Sequence, residues 1–185
     1  PLRFETGGLA TTVRVFWDEE ALTLSAEVEE RALSPAGKAK GASGRHDALQ
    51  LWLGASAGAA ERHEFLVEPV TASRAVCRRL AGPGAAEGAA EVPGARAAVR
   101  HSRGVTVYEV ALPLEALQGV RADAGREFAF SLLVHDPDGA GLRDLGAALN
   151  RPEAERRAPP ARWTLWPGGC WAGAAPYDGG SEFGF

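Results

Sequence analysis

Short runs in which apolar and polar residues strictly alternate recur along the chain. Over residues 11–17, Val13, Val15 and Trp17 share one face, and Thr12, Arg14 and Phe16 share the other. Over 21–29, Leu22, Leu24, Ala26 and Val28 alternate with Thr23, Ser25, Glu27 and Glu29. A period of two places successive side chains on opposite faces of a strand. The acidic turn Asp18-Glu19-Glu20 joins these two runs into a hairpin. Residues 47–53 set Leu49, Leu51 and Leu53 against Gln50 and Trp52, which predicts that Trp52 faces outward. Trp17, in line with Val13 and Val15, is expected in the core.

Further strands are predicted at 62–68, 73–80, 97–102, 107–112, 127–134 and 162–166, about nine in all. Pro113 can start one short helical turn, because its missing N–H costs little there. Residues 1–10 read as an extended lead-in, and 30–45, 81–95 and 135–143 as loops. No βαβ alternation appears. The pattern predicts an all-β fold, a jelly-roll-like antiparallel β-sandwich in one domain over 1–185, with 144–185 less regular.

Composition narrows the partners. With 45% hydrophobic residues, the 185-residue chain can bury a sizeable core. Its net charge of −4 and pI near 5.6 give no basic footprint for nucleic acid. No apolar run approaches the ~20 residues of a membrane span. The Ala-, Gly- and Arg-rich composition is that of a GC-rich bacterial genome. With no Met anywhere, the chain reads as a mature or excised fragment. Cys77 and Cys170 fit no zinc spacing; they are either a disulfide or two buried thiols.

The chemistry-bearing residues gather at loops. Asp136, Asp138 and Arg143 lie on one acidic loop, where an arginine and carboxylates can hydrogen-bond sugar hydroxyls. Asp47, Asp136 and Asp138 offer hard oxygens for Ca2+, with Glu30 a further candidate beside Asp47. His46 and His135 flank these acids. Arg74 and Arg78 share a strand face that could line a groove. An exposed Trp52 could stack on a pyranose ring through its π face. No G-x-S-x-G motif is present, and no spacing supports a hydrolytic carboxylate pair. The absence of C-x-x-C-H excludes covalent haem.

The ordered series VRVFWDEEALTLSAEVEE, HDALQLWLG, EFLVEP, YEVALPLEAL and FAFSLLVHDPDGAGLR resembles the family 9 carbohydrate-binding modules and the wider DOMON-like sandwiches. The resemblance covers roughly residues 11–143. It implies a sandwich that binds sugars without cutting them, carried by secreted or cell-surface bacterial proteins and often attached to polysaccharide-degrading enzymes. Gly44 stands where the family has a tryptophan three residues before Asp47, and Leu149 or Asn150 lies near where a second is expected. Those two rings form the family's sugar platform.

The expectation is therefore a non-catalytic, extracellular saccharide-binding module. Its rim would be built from Trp52, Arg78, His46, His135, Asp136 and Arg143, and Ca2+ is a candidate ligand. The second reading is a cell-envelope interaction or structural module that kept the sandwich and binds a protein partner. Neither reading involves membrane insertion.

Overall fold

A computed structural model describes residues 2–6, 9–36, 46–55, 62–85, 89–121, 128–137, 141–144 and 164–165. Its strands are β1 (Leu2–Thr6), β2 (Leu9–Trp17), β3 (Ala21–Glu29), β4 (Ala48–Gly54), β5 (Arg62–Pro69), β6 (Ala75–Ala81), β7 (Ala90–Glu91), β8 (Arg96–Ser102), β9 (Val105–Pro113), β10 (Ala129–Asp136), β11 (Gly141–Asp144) and β12 (Thr164–Leu165). One sheet runs β1-β2-β3-β9-β8. The other runs β11-β10-β4-β5-β6-β7, with β12 added parallel to β10. All other pairings are antiparallel. The expected sandwich is present, and every strand predicted from alternation is found. Among the described residues one 3-10 turn is found, Leu114–Ala116, and it follows Pro113 as predicted.

Three stretches predicted to be irregular contain strand pairing. The lead-in is β1, zipped along β2 from Leu2↔Val13 to Thr6↔Leu9. Within the small-residue loop, β7 pairs with Arg78 and Arg79. The acidic loop is narrower than predicted: β10 continues through His135 and Asp136, and β11 returns along it with Asp136 opposite Gly141.

The core forms where the apolar faces meet. Leu22, Leu24, Ala26 and Val28 of β3 and Tyr108, Val110 and Leu112 of β9 come from one sheet. Leu49, Leu51 and Leu53 of β4, Phe65 and Val67 of β5, and Phe130, Leu132 and Val134 of β10 come from the other. Cys77 joins this core as a buried free thiol, and desolvation pushes it up to about 12, so the thiolate does not form.

Trp17 departs from its prediction. β1 pairs with β2 only as far as Val13, so at Trp17 β2 is the edge of its sheet, and the ring is 46% exposed beside an exposed Phe16 although it stands opposite the buried Leu22. Alternation sets the face of a side chain, but a strand's place in the sheet decides how much packs on that face.

A bulge next to the core places a cation inside it. Between Glu64 and Phe65 the β5–β6 register shifts, so Phe65 faces Arg79. The Arg79 guanidinium stands 5.0 Å over the Phe65 ring and donates to Pro83 O at 2.7 Å and Ala116 O at 2.8 Å. Its Nη1 also lies 3.0 Å from His63 Nδ1, while His63 Nε2 meets Gln118 O at 2.8 Å. Arg79 can only donate, so His63 Nδ1 accepts and the proton sits on Nε2, facing the Gln118 carbonyl. One buried arginine thus ties the 3-10 turn of the first sheet to β5 and β6 of the second. Replacing Arg79 with Met removes these donors and strands two carbonyls. The expected loss is about 2–4 kcal/mol in urea unfolding. Arg79→Lys recovers only part of it, because an ammonium lacks the planar fork.

Candidate functional site

The polar residues of the second sheet fall into two groups, one on each side of β4. Adjacent residues of a strand point to opposite faces, so His46 and Asp47 diverge.

On the core side, register brings acids together at one end of the sandwich. Because His135 pairs with Ala48, the next residues along, Asp136 and Asp47, face each other across β10 and β4. Glu30, one residue beyond β3, approaches from the other sheet and is held by its N–H to Gly104 O at 3.0 Å. Arg103 (φ 53°) and Gly104 (φ 76°) make the left-handed turn of the β8–β9 hairpin that presents this carbonyl. Asp47 is anchored twice to Ser34: its N–H donates to Ser34 O at 2.9 Å, and its Oδ2 accepts from Ser34 N–H.

Glu30, Asp47 and Asp136 are all buried, and each offers a carboxylate oxygen within 4.8 Å of the other two. Like charges about 4 Å apart repel by about 4 kcal/mol even at a protein-surface dielectric. A divalent cation converts that repulsion into ligation, and all-oxygen donors suit Ca2+. This buried triad could hold a metal ion. Of the three acids proposed from sequence for this role, Asp47 and Asp136 meet here, with Glu30 as the third; Asp138 lies outside the described residues.

On the opposite face a polar row crosses three strands. His135 Nε2 lies 2.9 Å from Gln50 Oε1, and Gln50 Nε2 donates to Glu64 Oε1. Since the amide nitrogen is committed to Glu64, the histidine donates to the amide oxygen. Burial pushes His135 down to about 3, with a smaller contribution from nearby His46, so the ring is neutral. Burial pushes Glu64 up to about 7 despite the stabilising hydrogen bond from Gln50 and the field of Arg62.

The row reaches partial exposure at a second cluster on the same face. His46 Nε2 lies 2.7 Å from Glu68 Oε1, and Arg78 Nε donates to Glu68 Oε2 at 3.1 Å. Arg78 also sits 3.6 Å from Glu91 Oε1. The His46 contact, followed by the Arg78 one, holds Glu68 below the usual glutamate range.

The structure therefore joins two of the sequence-predicted rim residues, His46 and Arg78, through Glu68, which alternation alone did not single out. Gln50 and Glu64 were equally missed. Their one signal was a polar residue recurring on the outer face of an otherwise apolar strand, which reads as solvent-facing. His135 is buried in the row, and Asp136 turns to the acidic end. The backbone of Arg143 lies in β11 opposite Val134, and its side chain is outside the described residues. Trp163, Trp166, Trp171 and Cys170 are also outside them.

Trp52 is a correction: it faces outward from the core as predicted, yet it is 0% exposed. Its neighbours across the sheet, Ser131 and Glu64, are buried with it. A ring with no accessible face cannot stack on a sugar.

The architecture matches that of a family 9 carbohydrate-binding module from Caldicellulosiruptor kristjanssonii solved in complex with glucose, with a TM-score of 0.53 and 15% sequence identity. The match covers 76% of this chain and 66% of that module. The fold resembles that of a family 9 carbohydrate-binding module. No family model and no curated protein matches the sequence. The likeness to the family 9 module rests on the sandwich itself and carries no residue-level role across.

Glu64 gives this face a measurable pH signature. Its folded-state value lies above the unfolded 4.5, so between these values the folded protein binds more protons than the unfolded chain. Stability is therefore fully present below about pH 4.5 and is lost as pH rises toward 7. The expected loss across that window is on the order of 3 kcal/mol. Glu64→Gln keeps the acceptor for Gln50 and removes the titration. Its melting temperature, followed from pH 5 to 8, is expected to fall less than that of the wild type.

Proposed function

We propose that this chain is a non-catalytic saccharide-binding module of a secreted or cell-surface bacterial protein. The observation that carries the reading is the architectural match to a family 9 carbohydrate-binding module solved with glucose. The ligand would meet the partly exposed cluster of His46, Glu68 and Arg78, whose groups pair with hydroxyls through charge-assisted hydrogen bonds. His135, Gln50 and Glu64 stiffen the sheet behind it. Asp136 and Arg143 bring the β10–β11 hairpin to the end of the same sheet.

Recognition in this reading rests on hydrogen bonding. Trp52 is buried, and the exposed Trp17 lies at the opposite end of β3 from Glu30, away from this face. Glu30, Asp47 and Asp136 would bind Ca2+ and brace the end of the sandwich next to His46.

The second reading, an envelope interaction module, is favoured by Trp52: without an accessible ring on this face, the sandwich can persist as a scaffold for a protein partner.

A glycan array separates the two readings. The wild type is expected to bind at least one neutral glycan, and Arg78→Ala, which touches a partly exposed side chain, is expected to weaken that binding about tenfold, or about 1.4 kcal/mol. A folded wild type that binds no glycan would leave the interaction module as the reading.

The metal has its own readout. Added Ca2+ is expected to raise the melting temperature relative to chelator by several degrees, following about 2.7 kcal/mol of stabilisation at a hundredfold excess over Kd. Asp47→Asn, which keeps an acceptor for the Ser34 N–H, is expected to abolish that rise.

A further inference from the structure

Each sheet of the sandwich has an outer face, and the two outer faces differ. On the first sheet it is open to water: Ala98, Arg100 and Glu109 are exposed, and Arg14 and Glu27 form a partly exposed ion pair there. That is the ordinary state of an antiparallel sheet. On the second sheet Ala48 and Trp52 of β4, Leu66 of β5, and Ser131 and Leu133 of β10 point away from the core, yet none is more than 2% exposed. Ala48, Leu66 and Leu80 make an apolar cluster of their own, apart from the main core. The first sheet packs on the other side of these strands, against Leu49, Leu51 and Leu53. All described strands belong to the two sheets, so none of them is left to lie over this face. The cover comes from the rest of the chain.

Chemistry and position select the segment. Residues 37–45, 56–61 and 122–127 hold no large apolar side chain. Residues 145–163 are charged, with Arg151, Glu153, Glu155, Arg156, Arg157 and Arg162. Residues 166–185 are the reverse: they carry Trp166, Trp171, Tyr177, Phe183 and Phe185 against only two acids, Asp178 and Glu182. An aromatic ring buries about 150–250 Å2. A face of three strands about 4.8 Å apart and seven residues long is a few hundred Å2, so two or three rings cover it. The segment also starts in the right place. β12, which ends at Leu165, lies against Ala129 and Phe130 of β10, and the next residue of β10, Ser131, stands opposite Trp52. From there residues 166–185 span up to about 70 Å when extended, against about 14 Å from β10 to β6.

We infer that the outer face of the second sheet is a docking surface for the chain's own residues 166–185, whose aromatic rings pack on Trp52, Leu66 and Leu133. The inference does not rest on the saccharide reading. Trp52 is then a ring that the chain itself covers, and a ligand that stacks on it has to displace this segment first.

Photocrosslinking of the intact chain tests the inference. A benzophenone amino acid is placed at Trp171 or at Phe183, and at Leu149 as the control. At least one of the first two positions is expected to give adducts within one chain to the peptides of β4, β5 or β10 that carry Trp52, Leu66 and Leu133. Leu149 is expected to give none there. Adducts to these strands from neither tail position, or from Leu149 alone, overturn the inference. Adducts that join two chains through these strands also overturn it, because a second copy then covers the face.

A second measurement uses an apolar dye that fluoresces on exposed hydrophobic surface. Trp171→Ser/Phe183→Ser is expected to bind the dye severalfold more strongly than the wild type and to melt at a lower temperature. Leu149→Ser is expected to match the wild type in both. A double variant indistinguishable from the wild type overturns the inference. Should the double variant fail to fold, the crosslinks in the intact chain decide.

Discussion

Two neighbouring strands, β4 and β10, are buried along their whole length on both faces. Every polar side chain they carry must then find its partner within the protein, because an unsatisfied buried group costs about 1–3 kcal/mol. On the core side the polar residues sit only at the strand ends, where Asp47 and Asp136 meet Glu30. On the other side they are strung into the His135–Gln50–Glu64 row. The same burial that makes this pair the centre of the sheet thus fixes the polar geometry around it. Glu64 shows the tension most directly: it is hydrogen-bonded, yet desolvation still outweighs the bond and favours its proton.

The alternation in the sequence read the faces correctly and the exposure less well. Leu49, Leu51 and Leu53 do share the core face, and Gln50 and Trp52 do share the other. A half-buried strand and a doubly buried strand differ, however, in what lies beyond the second face, and no local pattern encodes that. Trp52, outward-facing, is therefore buried, and Trp17, on the core-facing register but at the stretch of β2 that β1 does not cover, is exposed. β7 is two residues long and has no alternation to show, and β1 alternates only over one short run, Leu2 and Phe4 against Arg3 and Glu5; pairing with a stronger neighbour defines both. Asp47 and Asp136 were legible as candidate ligands because both are acids beside loops. Glu68 and Glu64 were not, because acids on a strand ordinarily face water.

The acidic end matters to the sandwich as a whole. Glu30 belongs to the sheet of β3, whereas Asp47 and Asp136 belong to the sheet of β4 and β10. A cation there would bridge the two layers at one end. Arg79 bridges them elsewhere, through the 3-10 turn that follows β9. The two devices differ in kind. Arg79 carries its own charge and meets neutral acceptors, so its contribution is present whenever the chain is folded. The three carboxylates repel one another until a cation stands between them, so what they add as a group depends on what the surrounding medium supplies.

That contrast bears on where a ligand can act. Around His46, Glu68 and Arg78 the charges are already paired, so a neutral saccharide would compete with existing contacts and gain only from the hydrogen-bonding capacity left over.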